Sequence, residues 1–102
     1  MTPLERKALK ARAHPLSPVV FIGDKGLTAE VVAEVERALT VHELIKVRAA
    51  GLEREAREQA LAALSAQCGA QPVQHIGKIL VLYRKKPVDD DAARASRSAG
   101  RR

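Results

Sequence analysis

The residues of this chain that could do chemistry are cations and glycines, and they occur in three groups. The first is Arg6, Lys7, Lys10 and His14, whose spacing on a helix puts them in one sector about 100° wide. The second is Gly23-Asp24-Lys25-Gly26, a GxxG loop between an apolar run and a helix start. Two glycines leave room for backbone N–H groups to approach a phosphate, Lys25 adds charge, and the following helix N-terminus adds a positive dipole end. The third is Lys46 and Arg48 on one side of an alternating strand, with Lys78 and Arg84 further along. All three point to phosphate binding, not to bond-making. Blander readings stand beside them. Charge runs are usually solvated faces, edge lysines keep strands from aggregating, and with six glycines a GxxG match is nearly expected by chance.

The inventory supplies no enzyme. His14, His42 and His75 fall on three different elements without metal-ligand spacing, and no nucleophile-elbow or Walker pattern occurs. Cofactor, metal and small-molecule substrate are therefore not expected. The single cysteine, Cys68, can form neither an internal disulfide nor a zinc cage, and reads as a structural thiol in a reducing compartment.

Elements must hold these groups in place, and local signals define them. Thr2-Pro3-Leu4-Glu5 combines a cap, a first-turn proline and a capping-box glutamate, starting a helix that ends near His14 before Pro15. On it Leu4, Ala8 and Ala11 lie opposite the basic sector and are expected to pack. Val19 to Ile22, bounded by Pro18 and Gly23, reads as a buried strand. Thr28 caps a second helix with Val31, Val35, Ala38 and Leu39 on one stripe and Glu30, Glu34 and Glu36 outside, so the surface is electrically polarised. Leu44 to Ala49 alternates as a strand with one wet face. Arg54 to Cys68 forms a third helix closed by Gly69. Val73–Ile76 and Ile79–Arg84 flank Gly77-Lys78, a glycine-first pair suited to a hairpin, and Tyr83 could stack a base but is expected to pack or cap a strand end.

The order α-β-α-β-α-β-β predicts a single α/β domain over 2–86, with a four-stranded mixed sheet packed by helices. The stretch 87–102, with three aspartates, small residues and arginines, reads as a disordered tail. A chain of 102 residues, 46% hydrophobic, has room for one modest core, and with only two aromatics that core must be aliphatic. Eighteen Lys and Arg against twelve Asp and Glu leave a net charge of +6, which favours a polyanion as partner. No apolar run approaches the roughly 18 residues of a membrane span and no signal peptide is evident, so a cytoplasmic location is expected.

Three separated stretches then resemble a known family. Leu-Ser-Pro-Val-Val-Phe-Ile-Gly-Asp-Lys-Gly-Leu-Thr from Leu16 to Thr28, His-Glu-Leu-Ile-Lys-Val from His42, and Ile-Gly-Lys-Ile-Leu-Val-Leu-Tyr-Arg from Ile76 are similar to the CRM domain in its stand-alone bacterial, YhbY-type form. The resemblance covers about residues 2–86. It implies a fold similar to the C-terminal domain of translation initiation factor three. It also implies RNA binding through the GxxG loop and neighbouring basic surface, and association with the precursor large ribosomal subunit in ribosome assembly. Gly23, Lys25 and Gly26 match the family's loop and Lys46 falls in its second stretch. Asp24 departs, since the family's loop usually carries a basic or neutral residue there. The expectation is a non-catalytic, monomeric protein that binds ribosomal RNA. The competing reading is a basic adaptor module that binds an acidic protein partner.

Overall fold

The computed structural model describes residues 1–86, so the 87–102 segment read as a tail lies outside the described residues. Elements follow in the order α1 (Pro3–Ala13), β1 (Val20–Phe21), α2 (Ala29–His42), β2 (Leu44–Arg48), α3 (Arg54–Cys68), β3 (Gln71–Ile76) and β4 (Ile79–Tyr83). The four strands form one mixed sheet in the order β1-β2-β4-β3, parallel between β1 and β2 and antiparallel elsewhere.

Local chemistry places the helix ends as expected. Glu5 N–H donates to the Thr2 hydroxyl at 3.1 Å and Thr2 N–H donates to the Glu5 carboxylate at 2.8 Å, a reciprocal capping box. That hydrogen bonding from Thr2 holds the Glu5 carboxyl below its ordinary value. The Thr28 hydroxyl accepts from Val31 N–H, and Gly69 ends α3 in the left-handed region at φ +62°. Gly77 opens the β3–β4 turn at φ +54°, a conformation that favours glycine.

Two apolar layers cover the two faces of the sheet. Val20, Ile22, Ile45, Val47, Leu80 and Leu82 face α2 and α3, where Val35, Leu39, Ala60, Leu64 and Cys68 close the larger core. Each fully buried aliphatic side chain there is worth about 1.5–3 kcal/mol. On the opposite face Leu44, Val73 and Val81 pack against Leu9 and Ala13 of α1.

That second layer corrects two expectations. The packing side of α1 is Leu9 and Ala13, while Leu4 is 78% exposed and Ala8 and Ala11 are also exposed. A leucine and an alanine four apart lie flush on the sheet, and their fit to Leu44, Val73 and Val81 outweighs the apolar arc that Leu4, Ala8 and Ala11 share. The basic sector therefore flanks the buried face instead of opposing it. Similarly, the run 19–22 is not buried throughout: Val20 and Ile22 are, but Val19 and Phe21 are 46% and 61% exposed. β1 is an edge strand beyond the reach of α1, so only one of its faces is covered.

Candidate nucleic-acid interface

The GxxG loop is a tight turn in which Gly26 N–H donates to the Gly23 carbonyl at 3.0 Å and Gly26 takes φ +73°. Behind it lies a turn the sequence reading did not connect with it, Ala49 to Leu52. Gly51 N–H donates to the Ile22 carbonyl at 3.3 Å, and a Cβ on Gly51 would lie 2.7 Å from the Asp24 nitrogen. The close approach of two backbones is what requires glycine at 51. Arg57 of α3 holds this turn by donating from Nη1 to the Leu52 carbonyl at 2.7 Å, and its Nε donates to His75 Nε2 at 3.3 Å. Ala49 N–H donates to the Lys78 carbonyl at 2.7 Å, which ties the tip of the β3–β4 turn to the same end of the sheet. Gly51 and Arg57 gave no warning in the sequence, because a glycine in a loop and an arginine on a helix are ordinary there.

The candidate residues divide by this geometry. Lys10 and His14 line a groove between the end of α1 and the sheet, with Lys46, Gln74, Ile76 and Ile79 on its floor and far wall. Lys46 Nζ donates to the His14 carbonyl at 3.1 Å, which anchors that ammonium at the groove while leaving two of its protons for a ligand. Arg48 follows two residues along β2 on the same side and is exposed. Beyond it come the GxxG loop with Asp24 and Lys25, and Lys78 at the turn. Arg6 and Lys7 continue the basic sector one turn back along α1, both exposed. Among the described residues no carboxylate lines the groove.

Arg84 stands apart. Its guanidinium donates to the Glu36 carboxylate at 2.8 Å, to the Thr40 hydroxyl at 3.0 Å and to the Cys68 carbonyl at 2.9 Å, on the α2–α3 side of the sheet. The hydrogen bond from Arg84 holds the Glu36 carboxyl below its ordinary value, and the same bond raises Arg84. Arg84 thus joins β4 to the ends of two helices. Burial pushes the Cys68 thiol up, which keeps it protonated and unreactive.

The acidic residues of α2 lie across the sheet from α1, so the polarisation read from the sequence separates two faces. Among the described residues there is no cluster of metal-ligating side chains, and no helix is long and apolar enough to cross a membrane.

The comparisons agree with one another. The chain is 50% identical over 80 residues to a Haemophilus influenzae protein named as RNA-binding, covering 78% of this chain and 81% of the other. It is 44% identical over 101 residues to a protein of Pseudomonas aeruginosa named a probable RNA-binding protein, covering 98% and 97% of the two. A Staphylococcus aureus protein solved in solution superposes with a TM-score of 0.78 at 26% identity, over 88% of this chain and 94% of that one. Residues 1–84 match the CRS1 / YhbY (CRM) domain, and the chain belongs to that family.

Proposed function

We propose that this protein binds structured RNA of the precursor large ribosomal subunit and acts in ribosome assembly without catalysis. One observation carries the reading: Lys10, His14 and Lys46 line a groove on the α1 face of the sheet with no carboxylate among the described residues, and Arg48 follows on the same face of β2. Capture is electrostatic, with phosphates drawn to the cations and seated at the GxxG loop and the α2 N-terminus that follows it. Discrimination comes from the shape of the RNA and from 2′-hydroxyl contacts. The names of the relatives support the RNA part of this reading, and the ribosomal part follows from the family resemblance.

Sedimentation of cell extract tests it directly. The protein should travel with the precursor large subunit at low salt and leave it at high salt. Comigration with an acidic protein and no RNA would favour the adaptor reading instead.

A further inference from the structure

Phe21, Arg48, Ile79 and Ile76 are register partners across all four strands, and so form one row on the α1 side of the sheet, past the end of that helix. Phe21 pairs with Arg48, Arg48 with Ile79, and Ile79 with Ile76. Phe21 is 61% and Ile76 55% exposed, so the two ends of the row are open to a ligand. The chain's single phenylalanine is thus displayed at an edge. An exposed apolar residue by itself is ordinary. Here Phe21 pairs directly with Arg48 across two strands whose backbones lie about 5 Å apart. The row is continuous with the cationic groove of Lys10, His14 and Lys46. The GxxG loop begins at Gly23, two residues or about 7 Å of backbone beyond Phe21.

We propose that this row is a stacking platform for one unpaired nucleobase of the bound RNA. The base lies on the Phe21 ring, flanked by the Arg48 guanidinium, and its backbone phosphate is held by the GxxG loop and Lys25. The proposal rests on the RNA-binding reading above. Apolar surface rimmed by cations suits a nucleotide, which carries a flat apolar face and an anion in one unit; a protein occupant would have to present both from separate residues. A single ring accommodates a single base, so the platform distinguishes unpaired from paired RNA and is tolerant of base identity.

The test uses the full chain, an RNA hairpin with 2-aminopurine moved through its unpaired loop, and a blunt duplex of the same stem. Wild type should quench 2-aminopurine at one loop position. Phe21→Ala should weaken hairpin binding about 5- to 150-fold, the usual range for one stacked base, and leave duplex binding unchanged. Phe21→Trp should restore the hairpin, whereas Phe21→Leu, which keeps apolar area without a ring, should not. Melting temperatures of all three variants establish that the fold is intact. Phe21→Ala binding the hairpin as wild type, or losing hairpin and duplex equally, would overturn the platform while the RNA reading stands. Wild type binding neither RNA overturns both.

Discussion

Gly51 and Gly23 meet backbone to backbone: a Cβ at residue 51 would run into the main chain of Gly23 and Asp24. The turn that follows β2 is thereby the wall against which the GxxG loop is shaped. Gly51 does not have a positive φ, so space alone demands glycine there.

Gly51→Ala should therefore displace the loop, because the atoms in the way are backbone and cannot rotate aside. We expect about 1–3 kcal/mol of destabilisation and a clear loss of RNA affinity. Gly69→Ala is the control. It loses its left-handed preference at a site with nothing within 4 Å of the added carbon, so it should cost stability and leave affinity unchanged once folded. Thermal melts and RNA titrations of both variants check this, and equal affinity of Gly51→Ala and wild type would dissociate the turn from the loop's function.

Asp24 is exposed in the loop and accepts no side-chain hydrogen bond among the described residues. On the proposed reading its carboxylate repels a phosphate approaching Lys25. Asp24→Asn keeps shape and turn propensity, and should tighten RNA binding by about 0.5–1 kcal/mol, with the gain shrinking as salt rises. Titration at two salt concentrations measures it. Unchanged affinity at both would place the phosphate elsewhere.

A cationic groove predicts a steep salt dependence. With about four to six phosphate contacts, log affinity should fall with log salt at a slope of about −3 to −5. Arg48→Ala or Lys46→Ala should each flatten that slope by about 0.7–1, and Arg84→Ala should leave it unchanged because that guanidinium is engaged across the sheet. A flat plot for wild type would remove phosphate contacts as the source of affinity.

Arg84 matters to stability instead. Arg84→Ala removes bonds to Glu36, Thr40 and the Cys68 carbonyl together, and should cost about 1–3 kcal/mol. The pH dependence has a definite sign. The Glu36 carboxyl is depressed in the folded state, so its contribution is fully present above its ordinary value of 4.5 and is lost as pH falls through the lower folded value. With Glu36 half exposed, the effect of this pair is modest. Denaturant melts between pH 3 and 7 should show the acid-side loss in wild type and its reduction in Glu36→Gln.

Caps, proline stops and hydrophobic periods act within a few residues, which is why the three helices, their ends at Thr2, Thr28 and Gly69, and the Gly77-Lys78 turn were legible from the sequence alone. Net charge and the GxxG spacing likewise indicated an anion-binding chain, and three motifs in order indicated its family. Which side of α1 packs was not legible. Leu9 and Ala13 form a weaker stripe than Leu4, Ala8 and Ala11 taken together, and they pack because Leu44, Val73 and Val81 arrive from β2, β3 and β4 to receive them. The separation of Arg84 from Lys46 and Arg48 is also a tertiary result. All three lie in or beside strands, but Arg84 follows the last β4 residue and turns toward Glu36 and Thr40 of α2 and the Cys68 carbonyl at the end of α3. The meeting of Gly51 with Gly23 joins residues 28 positions apart, and the row from Phe21 to Ile76 depends on strand order and register. Register is set by pairing across long stretches of chain and by the layers that cover each face, so no local signal in the sequence carries it.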